Sequence, residues 1–217
     1  ILDASKISTA LMNTDGQMKF YKYFLYKGTD NKVYRYNSLT NQTNKYVNNV
    51  NGFDSVSFKV FFYKKNRVLR KYTIDADEPN ERIYNDIRSD IVPIDNNYVF
   101  FARDASHNVC YWDGNDITDL PVYNAQKLRS KEKNKLYYVD ITTEQVGKLN
   151  KNASNWNNFL YEDEDISGVK LISVTRDDTL YVTTNHNKVY KLTFNNNNAT
   201  HVLLDEDESN QIKSLRG

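Results

Sequence analysis

The sequence predicts an all-β protein: a five-bladed β-propeller of four-stranded antiparallel blades, with the ring closed by the two termini. Three observations predict it. A strand–turn–strand pattern recurs five times along the 217 residues. Tyrosine (17) and phenylalanine (10) are abundant, and these side chains favour a pleated, packed strand surface. No long amphipathic helical period interrupts the pattern.

The recurring unit is a short apolar strand, a polar turn and a second strand. The first copy runs Tyr23-Phe24-Leu25-Tyr26, Gly28-Thr29-Asp30-Asn31, Val33-Tyr34-Arg35-Tyr36. The second is Val60-Phe61-Phe62-Tyr63, Lys64-Lys65-Asn66, Val68-Leu69-Arg70-Lys71-Tyr72. The third is Tyr98-Val99-Phe100-Phe101, Asp104 to Asn108, Val109-Cys110-Tyr111-Trp112. The fourth is Leu136-Tyr137-Tyr138-Val139, Thr142 to Gln145, Val146-Gly147-Lys148-Leu149. The fifth is Leu180-Tyr181-Val182-Thr183, Asn185-His186-Asn187, Val189-Tyr190-Lys191-Leu192. The anchor valines 33, 68, 109, 146 and 189 are spaced by 35, 41, 37 and 43 residues. In most copies Tyr, Trp or Leu follows three residues later. In the second copy Tyr72 follows four later, which predicts a bulge or a shifted register.

Flanking segments supply first and fourth strands: Val56–Phe58 and Arg82–Tyr84 around the second hairpin, Val169–Val174 and His201–Leu204 around the fifth. Four strands in about 40 residues is the period of a propeller blade. The approximate blades of this single domain are 1–52, 53–90, 91–124, 125–168 and 169–217. Such a blade is apolar on both faces, so stacking buries both sides and closure removes the ends. The segment Gln211–Leu215 reads as a first strand that completes the first blade beside the N-terminal residues. Asp116–Arg129 leaves room for a helical turn, which Pro121 keeps short.

Composition excludes several classes. No apolar stretch approaches the roughly 20 residues of a membrane helix, so no membrane insertion is expected. The single cysteine, Cys110, excludes an internal disulfide framework and a cysteine zinc cage. Residues 1–72 carry 13 Lys/Arg against 4 Asp/Glu, a net of +9; the remainder nets −8. The molecule is therefore expected to be electrically two-sided. Nucleic acid is disfavoured as a partner, because the tyrosines of the basic segment alternate like strand residues rather than stacking platforms. The chain is expected to be a monomer without a cofactor. Sequons at Asn41, Asn152 and Asn198 point to a secreted glycoprotein, while the lone cysteine fits either an extracellular or a cytoplasmic setting.

Leu136-Tyr137-Tyr138-Val139-Asp140-Ile141 resembles the strand signature of propellers of the YWTD, YVTN and gluconolactonase-like type, as does Asp177–Thr183 followed by Asn187–Leu192. In style the chain is also similar to small Tyr- and Asn-rich insect propellers, the ommochrome-binding proteins. The first resemblance implies architecture, the second a bound aromatic pigment. Gluconolactonase-like propellers imply a divalent metal held by Glu, Asn and Asp at the channel mouth. This sequence has no Glu in its first 60 residues, and Asn51-Gly52 in the nearest segment, Asn51–Asp54, reads as a turn.

His107 and His186 fall in corresponding hairpin turns, on the face where propellers usually bind ligands. Arg103 precedes the first of these turns. Trp156, among asparagines in 152–158, reads as a ring exposed for stacking. These four, Arg103, His107, Trp156 and His186, are the expected ligand contacts; no catalytic and no metal residue is expected. Two acidic runs, 162–165 and 205–208, stand 43 residues apart and suit calcium or a basic partner, although neither spaces its ligands as a calcium loop does. The expected function is non-enzymatic binding of a small aromatic ligand or pigment, a glycan or a peptide at the loop face. The alternatives are a protein-interaction scaffold docking through its charged sectors and, last, a metal-dependent lactonase-like hydrolase.

Overall fold

The computed structural model describes residues 7–10, 23–57, 59–175, 179–195 and 198–206. These residues form five four-stranded antiparallel sheets, each a meander of four consecutive strands. Blade one holds β1 (Ile7–Ala10), β2 (Tyr23–Gly28), β3 (Val33–Asn37) and β4 (Gln42–Val47). Blade two holds β5 (Gly52–Ser55), β6 (Val60–Lys65), β7 (Val68–Thr73) and β8 (Asn80–Tyr84). Blade three holds β9 (Val92–Asp95), β10 (Tyr98–Arg103), β11 (Asn108–Trp112) and β12 (Ile117–Asp119). Blade four holds β13 (Ala125–Arg129), β14 (Lys135–Asp140), β15 (Val146–Asn152) and β16 (Asn155–Tyr161). Blade five holds β17 (Val169–Val174), β18 (Thr179–Thr184), β19 (Lys188–Asn195) and β20 (Asn198–Glu206).

The second strand of each blade explains the radial stacking. Side chains alternate across a strand, so a strand buried on both faces reads as an unbroken apolar run. Phe61 packs into the core between blades one and two, and its neighbour Phe62 into the core between blades two and three. Phe101 shares that second core, while Phe100 faces blade four. Tyr138 lies in the core with blade three, and Tyr137 in the core with blade five. Four apolar joints thus link five blades in chain order. Each buried ring of this kind contributes roughly 1.5–3 kcal/mol relative to an exposed one.

The shifted register of the second copy has a local cause. Its hairpin turn is only Asn66-Arg67, both at positive φ (51° and 62°), as a type I′ turn requires. The shorter turn moves Leu69 into the fully buried position that Val33, Val109 and Val146 hold in the other blades. Tyr72 is then three residues beyond the anchor, like its counterparts. Gly147 is required by its partner across the ladder: a Cβ there would lie 2.0 Å from the Tyr138 ring.

Three expectations are corrected. The first strand of blade two is Gly52–Ser55, not the segment from Val56, so Asn51-Gly52 straddles a bend and a strand start rather than forming a turn. Residues 116–129 hold β12 and β13 and no helical turn; among the described residues the helical content is one 3₁₀ turn, Glu164–Ile166. Residues 155–161, Trp156 included, are strand rather than loop, because β16 pairs with β15 over seven residues. The expected strand at Gln211–Leu215, and with it the closure of the ring, lies outside the described residues, as do Asp207 and Glu208. No helix of the described residues is long and apolar enough to cross a membrane.

Candidate functional site

The first strands of the blades line the axis, and they bring charged side chains together there. Phe53 and Ser55 of β5 are buried, while the residue between them, Asp54, reaches water. Its charged surroundings are Asp90, just before β9, with Arg129 at the end of β13 and Lys131 beyond it. Arg129 bridges blades four and three through an Nη1–Asp90 Oδ2 contact of 2.8 Å. Lys64 donates to the carbonyl of Ser89 at 3.0 Å, and Lys127 to the carbonyl of Val169 at 3.5 Å. Lys170 donates to the carbonyl of Asn185 at 3.4 Å. The inner margin of blades two to five therefore carries a surplus of cationic groups over carboxylates.

Enclosure shifts these groups. Although Asp54 reaches water, the protein packed around it leaves its carboxyl poorly solvated and pushes it up to about 6. The Ser55 N–H, which it accepts at 2.8 Å, and the nearby Arg129 and Lys131 pull the other way. Burial lowers Lys64 and Lys127 from the usual lysine range, against Asp90 in the first case and Glu144 and Asp90 in the second. Lys127 also has φ of +51°, inside the register shift between Gln126 and Arg129. A bulge re-aims a side chain, and a lysine in the left-handed region costs on the order of 1–2 kcal/mol. Local strain of this kind clusters where a side chain is held for use.

The hairpin turns joining second and third strands form one face. Each contains a residue at positive φ: Asn31, Arg67, His107, Glu144 and Asn187. In four blades the carbonyl of that residue receives an N–H from the start of the next blade. The donors are Val50 to Asn31 (2.8 Å), Ile87 to Arg67 (2.8 Å), Ala125 to His107 (3.3 Å) and Val169 to Glu144 (2.9 Å). These bonds latch each blade to its successor.

This geometry places the residues expected to bind. His107 is a latch residue, half-buried, with an enclosed Nδ1 that has no hydrogen-bond partner among the described residues. His186 is exposed in the fifth turn, one position before Asn187, the positive-φ residue of that turn. Arg103 is held within blade three, where Nη2 meets Asp119 Oδ2 at 2.5 Å, and reaches blade two, where Nη1 donates to Tyr84 Oη at 3.2 Å and the guanidinium lies over the Tyr84 ring at 5.4 Å. Arg103, His107 and His186 share the turn-bearing face. Trp156 does not; it adjoins the opposite turn, between β15 and β16. It is half-buried against Phe100 and Tyr111, with ring centroids 6.1 and 6.3 Å away, so its reading as an exposed stacking ring is corrected. Cys110 is fully buried and its thiol is pushed up by desolvation, which makes it a packing group and not a nucleophile.

Of the axial residues, Asp90, Lys127 and Arg129 carry no motif in the sequence, and Asp54 stands out there only as the end of the segment Asn51–Asp54. The available signal was charge inside first strands, and it needs correct first-strand boundaries to be read.

No family model matches the chain, and no curated protein matches it. Solved structures do. Virginiamycin B lyase from Staphylococcus aureus aligns with a TM-score of 0.60 at 14% identity, over 94% of this chain and 72% of that one. The C-terminal WD40 domain of Sif2 aligns with a TM-score of 0.64 at 10% identity, over 92% of this chain and 58% of that one. The fold is that of a β-propeller. The propeller domain of Cps50 (Swd1) from Myceliophteria thermophila agrees, at TM-score 0.61 and 9% identity, over 90% of this chain and 67% of that one. At such identities the likeness concerns architecture alone.

Proposed function

We propose that this chain is a non-enzymatic binding propeller that takes an acidic peptide or protein segment across the hairpin-turn face, at the mouth of the axial passage. The observation that carries this reading is the cationic surplus at the inner margin, with Lys64 and Lys127 partly desolvated by the blades around them. A carboxylate entering there meets donors that are already oriented, in surroundings where their attraction is screened less than in bulk water. Asp54 and Asp90 limit the surplus and make recognition depend on where the ligand's charges fall. Arg103, His107 and His186 are the proposed outer contacts on the same face.

The test is fluorescence polarisation with a labelled acidic peptide panel. Lys127→Glu combined with Arg129→Glu is expected to abolish binding, and affinity is expected to fall steeply with salt. Binding unaffected by the double variant would overturn the reading. A second reading, favoured by the Tyr-rich strands and the resemblance to insect pigment carriers, is a small aromatic ligand. A visible absorbance band in protein purified from its natural source would support it instead.

A further inference from the structure

We propose that His201 and Asp165, with Asp163 beside them, hold a divalent transition-metal ion of the zinc type at the outer seam between blades four and five. The seam brings three elements together. Asp163 and Asp165 lie in the connection that leaves blade four, and His201 lies on β20, the outermost strand of blade five. One ligand atom from each of the three lies within 4.8 Å of the others. Tyr161, at the end of β16, closes the group from the inner side, and the Tyr190 ring stands 5.5 Å from the imidazole.

The case for a cation rests on the imidazole. His201 has a carboxylate at each nitrogen: Asp163 Oδ2 is 3.3 Å from Nδ1, and Asp165 Oδ2 is 3.7 Å from Nε2. Tyr161 donates its hydroxyl proton to Asp163 Oδ2 at 2.8 Å. Its oxygen, 2.9 Å from Nδ1, then faces that nitrogen with lone pairs and calls for a proton on it. In the neutral form of the imidazole the one N–H then sits on Nδ1, and Nε2 presents its lone pair. That lone pair faces the Asp165 carboxylate across a gap too long for a hydrogen bond. In that form two electron-pair donors oppose each other, and a metal ion between them satisfies both, in a group whose three ligand atoms already lie within 4.8 Å of one another. Two ligand atoms each about 2.0–2.1 Å from one zinc ion stand roughly 3.3–3.5 Å apart at tetrahedral angles, so a small movement of Asp165, which is 75% exposed, closes the site.

Asp163 takes the part of the carboxylate that holds a ligating histidine from its far nitrogen. Its other oxygen is fixed by the Asp165 N–H at 2.9 Å, so it cannot swing away freely. The imidazole selects a zinc-type ion over calcium, which takes oxygen ligands. An ion there would staple the connection between the blades to the outer strand of blade five.

Isothermal titration of the full chain, first stripped with chelator, tests this with Zn²⁺, Co²⁺ and Ca²⁺. One Zn²⁺ per chain is expected, Co²⁺ is expected to give visible d–d bands, and Ca²⁺ is expected to give no heat at this site. His201→Gln and the exposed-site variant Asp165→Asn should each weaken Zn²⁺ binding by about 10-fold or more. Absence of saturable Zn²⁺ binding would overturn the proposal, as would an affinity unchanged in both variants. It would equally fall if NMR showed His201 taking up a proton on acidification with a titration curve that equimolar Zn²⁺ leaves unmoved, because the charge between the ligands would then be that proton.

Discussion

The joint between blades three and four and the face that blade five turns away from blade four are both made of strand side chains, yet they differ in chemistry. The joint packs Phe100, Val109, Leu128, Leu136, Tyr138 and Leu149 with Trp156 at its margin. On blade five, Leu180, Val182 and Leu192 serve the joint with blade four. Their neighbours along the strands point the other way: Ser173 opposite Tyr181, Tyr181 opposite Lys191, and Thr183 opposite Val189. Thr183 is 1% exposed, and its hydroxyl has no hydrogen-bond partner among the described residues. The contrast teaches that the blades are not interchangeable plates. Joints filled by rings and branched aliphatics resist opening, whereas a buried hydroxyl such as that of Thr183 adds a desolvation cost wherever it lacks a partner.

The largest expected effect breaks the apolar side of this contrast. Phe100→Ala should lower stability by about 3–5 kcal/mol in urea unfolding, because a fully buried ring leaves a cavity against Trp156 and Tyr111. Thr183→Val should act with the opposite sign. It keeps the shape and removes the orphaned hydroxyl, so a gain of about 1 kcal/mol is expected, and a loss would mean that the hydroxyl is satisfied after all. The smallest effect concerns the axis. The Asp54 carboxyl, at about 6 in the folded chain against 3.8 ordinarily, holds its proton more tightly when folded. Its contribution to stability is therefore complete below pH 3.8 and is lost as pH rises through 6. Asp54→Asn should melt modestly higher than the parent above pH 6, and the difference should change by that amount on acidification below 4. A constant offset across this range would show that Asp54 is not the group responsible.

Much of the architecture was legible because its signal is local. Runs such as Tyr98–Phe101 and Leu136–Val139 are apolar at every position, which only a strand covered on both sides tolerates. Even the irregular second copy was visible as a displaced Tyr72. First strands were harder: Gly52–Ser55 has one large apolar residue, and its pairing with β6 decides its identity. The axial cluster was hidden for the same reason, since Asp54, Asp90 and Arg129 come from three blades and are united only by radial geometry. His201 and Asp163 are 38 positions apart in the sequence and meet through blade packing. Trp156 misled because its asparagine-rich neighbours resemble a loop, while the β15 ladder holds them in register.

The backbone bond from each hairpin to the following blade has a bearing on how such a chain grows. Among the described residues, blades two, three and four each carry both a carbonyl that receives and an amide that delivers, so a duplicated unit of this kind arrives with both fittings and needs no new side chain to be seated. Lineages of such modules are free to lengthen or shorten by whole units while individual surfaces diverge, which suits a body whose interior strands are constrained and whose turns are not.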